Sequence, residues 1–271
     1  YGRVLRSRYP HANIKSIDTA RAESAPGVVK VLTWRDVTGL NGYGIAIPDQ
    51  PVLCRDKVRY MGDAVALVIA ESAEEAEQAL ALVNVEYEVL PVVDDPEAAM
   101  LPDSPKVHES GNVHMQTHAE NGDVEQGFAA SDVIVEGTYK LPRQMHAFME
   151  PEQGVGVPGP NGEVTVYCGA QHPYRDQMQV SRALGIKPSK IRVVTSPTGG
   201  AFGGKDEITL QILLAMGALA TGRPVQIVLS REESTVAGWK RHPMTIYMKT
   251  GARRDGTLLA HQVRLVSDTG A

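Results

Sequence analysis

The sequence predicts an α+β fold in two consecutive units, on three observations. An unbroken apolar run at 64–70 (AVALVIA) reads as a strand buried on both faces. A helix start and an alternating strand follow it at once. After residue 123 a second series of strands and helices brackets a glycine-rich loop.

In the first unit, residues 1–98, Ser72-x-x-Glu75 is a capping box that opens a helix carrying Ala76, Ala79, Leu80 and Val83 at helical spacing. Glu74, Glu75 and Glu77 form a solvated first-turn face, favourable to the helix dipole. The segment 85–89 alternates as a half-buried strand and Pro91 stops it. From about Asp94 the chain turns polar, with Pro96, Pro102, Pro105 and Gly111, so 99–122 is expected to be a linker. His108, His114 and His118 lie scattered in this broken stretch without a fixed acidic partner, so no metal site is expected of them.

The second unit, 123–271, begins with Val133, Val135, Tyr139 and Leu141 on an alternating strand. Gly159-Pro160-Asn161-Gly162 is expected to join two short strands as a hairpin. Pro173 opens a helix that Gly185 closes. A strand at 191–195 leads into the glycine-rich loop, and a long apolar helix is expected over 206–221, stopped by Gly222-Arg223-Pro224. A strand at 225–229 follows, and a last hairpin turns at Asp255-Gly256.

Composition excludes several partners. With 27 Lys+Arg against 32 Asp+Glu and a net charge of -5, the chain lacks the basic surface of a nucleic-acid or anionic-membrane binder. No apolar run is long enough for a membrane span. Cys54 and Cys168, far apart in sequence, offer no zinc, iron–sulfur or disulfide pattern and read as buried thiols. Tyr1 at the start and a strand-like run at the end suggest a piece of a longer polypeptide, so the absence of a targeting signal carries no information.

Two glycine motifs differ in what they can do. Residues 154–159 spell G-x-G-x-x-G, but Pro158 and the following turn leave no helix N-terminus for a pyrophosphate. Residues 199–205 match the first seven positions of a P-loop between a strand and a helix. Asp206 stands where Ser or Thr would hold Mg²⁺, and its charge would repel phosphates. A ligand-free turn is a poor use of four glycines around Phe202, which leaves a loop whose bare N–H groups approach an anionic or oxo-bearing ligand.

The run Gly199-Gly200-Ala201-Phe202-Gly203-Gly204-Lys205, downstream of Gln171, resembles the molybdopterin-contacting loop of the xanthine dehydrogenase/aldehyde oxidase family of molybdenum hydroxylases. The stretches 7–18, 26–33 and 56–63 are similar to the hammerhead domain that begins the family's molybdenum subunit. His146, Glu150-Pro151, Arg231-Glu232 and Arg241-His242-Pro243 resemble its continuation. The likeness covers essentially the whole chain. It implies an amino-terminal fragment: a hammerhead-type α/β domain over 1–98, a linker over 99–122, and over 123–271 a first, incomplete, molybdopterin-binding domain without the second.

The resemblance further implies oxidation of a heterocycle or aldehyde with water as oxygen source. Gln171 would direct its amide at the apical oxo of molybdenum, and Phe202 and Gly203 would turn N–H groups to the metal's oxygen ligands. Gly200, Ala201 and Gly204 would line the cofactor, with no direct protein ligand to the metal. Asp206 falls where purine-oxidising members carry a substrate-orienting Glu; being shorter, it does not carry purine specificity over. Glu150 matches a separate family glutamate with a supporting role. No catalytic residue is expected in this stretch, since the general-base Glu and a substrate arginine belong further along the family's chain, and the fragment alone is expected to be inactive. The cofactor would be molybdenum-molybdopterin in a cytosine or guanine dinucleotide form. [2Fe-2S] clusters and FAD would sit on partner subunits or segments, in a cytoplasmic complex. A nucleotide-hydrolysing module using Gly199 to Lys205 and a non-catalytic scaffold are the rival readings.

Overall fold

The computed structural model describes residues 1–269; Gly270 and Ala271, the last of the expected second domain, lie outside the described residues. The chain divides into two compact units that do not follow sequence order. Tyr1–Leu90 joins Met145–Trp239 in one, and Pro91–Gln144 joins the residues from Lys240 on in the other.

In the larger unit the apolar run 64–70 is a strand, Ala64–Ala70, paired antiparallel on both sides with Gly2–Arg6 and Val28–Leu32. It is buried nearly throughout, as a central strand covered on both faces must be. Ser72 caps the Ala73–Leu80 helix: its hydroxyl accepts from the Glu75 N–H at 3.1 Å while the Glu75 carboxylate accepts from the Ser72 N–H at 3.0 Å. Asn84–Val89 pairs antiparallel with Ala12–Asp18 in a second small sheet.

A four-stranded sheet follows, in the order Ile191–Thr195, Val164–Cys168, Gln153–Pro158, Val225–Val228. Its first pair is parallel and the others antiparallel. The expected hairpin is present, turning through Pro160–Gly162 with Asn161 at φ 57°. Pro173–Leu184 forms as expected, ending on Gly185 at φ 65°. The other apolar helix departs from expectation: it covers Gln211–Thr221, five residues shorter at its start than 206–221. Gln211 folds its own side chain back, its Oε1 accepting from the N–H groups of Thr209 and Leu210, the two residues before the helix.

Gln211 through Ala218 are all buried, so the helix is covered all round. Its core joins Leu32, Leu67 and Ile69 of the first 90 residues to Val166, Leu214 and Ile227. Gly156 in the G-x-G-x-x-G run lies on a strand, not at a helix start. A β-carbon there would run into the Leu214 carbonyl, and one on Gly154 would stand 2.6 Å from a Leu214 methyl and from the Tyr167 carbonyl. These glycines admit a helix, not a dinucleotide.

The smaller unit is a three-stranded antiparallel sheet in the order Leu258–Ser267, Met244–Ala252, Val133–Leu141. The Val124–Ala129 helix packs on it through Phe128, over whose ring the Lys249 ammonium stands at 4.8 Å. Glu97, on the short helix Pro96–Ala99, accepts from the Tyr247 hydroxyl at 2.6 Å and from Arg264 at 2.8 Å. Most of 99–122 has no regular structure.

Gly156→Ala is expected to lower stability by about 1–3 kcal/mol by overpacking against the Leu214 backbone. Urea unfolding reads the loss; an unchanged midpoint would refute the close approach.

Candidate functional site

The loop leaves the Ile191–Thr195 strand and runs to the start of the Gln211–Thr221 helix. Phe202 sits at its tip, 76 % exposed and at φ 53°, with Gly200 at φ 96° and Gly203 at φ 94° beside it. A bulky residue in the left-handed region is strained, and such strain is kept where the surroundings enforce it. Gly204 has a different reason to be glycine: a β-carbon would come 2.7 Å from the Phe148 ring and 2.8 Å from His146 Nδ1.

Gln171 and the loop are brought together. Its Oε1 accepts from the Gly203 N–H at 3.1 Å, and its own N–H donates to the Lys205 carbonyl at 3.0 Å. The Gly203 N–H, which the resemblance turns toward a molybdenum oxygen, is therefore bonded to Gln171 here. With Oε1 engaged, the Gln171 Nε2 donates to no protein group among the described residues. The N–H groups of Gly200, Ala201 and Phe202 likewise have no protein acceptor there. These unpaired donors, Gln171 Nε2 and three successive backbone N–H groups, are chemically suited to a ligand rich in oxygen acceptors.

Lys205 takes no part in that donor surface. Its side chain is 2 % exposed, and Nζ donates to the Glu150 carbonyl at 2.9 Å and to Glu150 Oε2 at 3.1 Å, 4.6 Å above the centre of the Phe148 ring. An ammonium so engaged does not reach a phosphate, and the helix beyond starts six residues after it, at Gln211. The P-loop reading fails on both counts. Burial alone would raise the Glu150 carboxyl, but Gln153, the Gly199 N–H and Lys205 outweigh it and hold it below the usual glutamate range.

Asp206 is turned toward the Pro173–Leu184 helix. Its Oδ1 lies 2.6 Å from His172 Nε2 and its Oδ2 3.4 Å from Arg175; Arg175 also approaches Glu207 at 3.7 Å, and Gln179 donates to Glu207 at 3.4 Å. Residues 172, 175 and 179 follow an i, i+3, i+7 spacing, the one signal by which the sequence could have disclosed this set of partners. Behind it, fully buried Asp176 accepts from Gln211 Nε2 at 3.0 Å while its Oδ1 has no partner among the described residues. Burial, relieved in part by Gln211 and reinforced by the negative charge of Glu207, pushes the Asp176 carboxyl up to about 7.

Among the described residues no group of three or more His, Cys, Asp or Glu could hold a metal, and His118 pairs with Glu120 at 2.9 Å. Cys54 and Cys168 are free and buried, and burial pushes the Cys168 thiol up to about 12.

Residues 107–271, more than half the chain, match the molybdopterin cofactor-binding domain family. Residues 1–91 match the a/b hammerhead domain of aldehyde oxidase and xanthine dehydrogenase. The chain belongs to the xanthine dehydrogenase and aldehyde oxidase family. Within it, the whole chain is 55 % identical to a probable xanthine dehydrogenase subunit of Bacillus subtilis, spanning 36 % of that protein. It is 42 % identical to the nicotinate dehydrogenase large molybdopterin subunit of Eubacterium barkeri, spanning 64 % of it. The solved aldehyde oxidoreductase from Desulfovibrio gigas superposes with a TM-score of 0.93 at 33 % identity, over 97 % of this chain and 30 % of that one. The α+β architecture and the molybdopterin-binding character expected from the sequence thus hold. No helix among the described residues is long and apolar enough to cross a membrane.

Asp176 gives the fold a pH dependence of definite sign. Its folded pKa lies above its unfolded one, so its contribution is fully present below about pH 4. It is lost as pH rises, completely once past about 7. Asp63, also pushed up by burial, to about 6, acts in the same sense, so the readout is a difference. Asp176→Asn should flatten the decline in melting temperature between about pH 4 and 7 relative to the unaltered chain; parallel profiles would refute the assignment.

Proposed function

We propose that this chain supplies part of the molybdenum-binding subunit of a hydroxylase that oxidises a heterocycle or aldehyde with water as oxygen source. In this reading 1–98 is the hammerhead domain, 99–122 a linker and 123–271 the first molybdopterin-binding domain. The observation that carries it is the meeting of Gln171 with a loop whose N–H groups at Gly200, Ala201 and Phe202 have no protein acceptor among the described residues.

A bound molybdenum-molybdopterin would supply oxygen transfer from water and accept two electrons. The chain's own residues bind and orient. Gln171, its Oε1 engaged by Gly203, offers Nε2 to an oxygen ligand of the metal. The strained tip at Phe202 and its neighbouring glycines let backbone come close where a side chain would intrude. No residue of 1–271 serves as general base; a glutamate from elsewhere in the subunit has that role. [2Fe-2S] clusters and FAD reside on partner subunits or segments of a cytoplasmic complex, and residues 1–271 alone do not turn over substrate.

On the substrate, Asp206 gives a negative criterion. Its carboxylate is shorter than the glutamate of purine-oxidising members and is already occupied by His172 and Arg175. It is not free to orient a purine, and the substrate class stays at heterocycle or aldehyde.

In the assembled enzyme Gln171→Ala should lower turnover on the order of 10–100-fold, the usual scale for groups that orient a metal's ligands. Metal analysis of a normally assembled enzyme that finds no molybdenum would overturn the reading, as would a nucleotide-dependent thermal shift abolished by Lys205→Ala.

A further inference from the structure

The loop that meets Gln171 has little of its own to hold it. Between residues 199 and 206 its internal bonds are Gly204 N–H to the Ala201 carbonyl at 2.8 Å and Asp206 N–H to the Gly203 carbonyl at 3.2 Å. Gly200, Phe202 and Gly203 all have positive φ, a combination that a free peptide would seldom hold. Both ends of the loop converge on one residue outside it. Glu150 Oε2 accepts from the Gly199 N–H at 2.7 Å, and the Glu150 N–H donates to the Gly199 carbonyl at 3.3 Å. The same Oε2 and the Glu150 carbonyl accept from Lys205 Nζ. Gln153 Nε2, on Oε1 at 2.8 Å, fixes the roll of the carboxylate. From Lys205 the connection continues, since its carbonyl receives the Gln171 N–H.

We propose that Glu150 is a positioning residue: it closes the glycine loop by gripping its first and last residues, and so sets the shape of the donor surface before any cofactor is bound. The gain is entropic. With residues 199 and 205 fixed by charge-assisted bonds, the intervening residues explore only the conformations that span that gap. Lys205, the apparent P-loop lysine, is the buried half of this clasp. The purpose assigned to the clasp rests on the cofactor reading above; its existence does not.

Removing one partner leaves the other as an uncompensated buried charge and lowers global stability as well. The test therefore pairs Glu150→Ala and Glu150→Gln with the double variant Glu150→Gln/Lys205→Met, which leaves no unpaired charge. Residue-resolved amide exchange is read in the 271-residue chain at Gly203 and Gly204, whose bonds do not involve Glu150, alongside the melting temperature. Exchange at both should quicken on the order of tenfold or more. In the double variant the melting temperature should recover while exchange stays fast, an outcome that general destabilisation does not produce. Quickening confined to Gly199, or loop exchange that returns to normal along with the melting temperature, overturns the proposal. Molybdenum content of the assembled double variant separates the two readings. Reduced content supports both. A fast loop with full molybdenum content leaves the clasp standing and removes its assigned purpose.

Discussion

The site depends on one close approach, that of the Gln211–Thr221 helix to the Gln153–Pro158 strand. The helix is apolar on every side and must be enclosed, and Gly154 and Gly156 let it settle onto the strand. Once it is seated, its first residue is fixed in space, and Gln211 ties that point to Asp176 on the neighbouring helix. The segment between Thr195 and Gln211 then has defined endpoints. The strained turn at Phe202 is tolerable because the ends of its loop are anchored elsewhere.

Two lysine-bearing glycine loops with similar letters can thus have opposite designs. In a phosphate-binding loop the lysine faces the ligand and the helix begins at once. Here the lysine faces inward onto Glu150 and Phe148, and residues 206–210 intervene before the helix. The loop offers its ligand neutral N–H dipoles, with the full charge sequestered beneath. That arrangement suits a metal-oxo group better than a polyphosphate, whose several charges call for a cation in direct contact.

Much of this was legible in sequence, and where it was not the reason is physical. The strand Ala64–Ala70, the capping box at Ser72 and the proline-to-glycine span of the Pro173–Leu184 helix are local codes, read from neighbours a few residues apart. The pairing of Gln171 with the loop came from resemblance alone, because no local pattern links residues so far apart in sequence. The Gln211–Thr221 helix starts later than its sequence pattern predicts for a related reason. Asp206 and Glu207 look like favourable first-turn acids, yet His172, Arg175 and Gln179 of another helix draw them aside. The Glu150 clasp depends likewise on two segments that meet only in three dimensions.

The core shared by the first 90 residues and Met145–Trp239 bears on how the chain can be divided. A boundary drawn through the intervening segment respects the order of the sequence but splits a hydrophobic face in two. Leu32, Leu67 and Ile69 would be left bare on one piece, and Leu214 and Ile227 on the other. Complementary sticky faces of this kind are what fragment complementation requires: two separately made polypeptides could rebuild by association a core that neither completes alone.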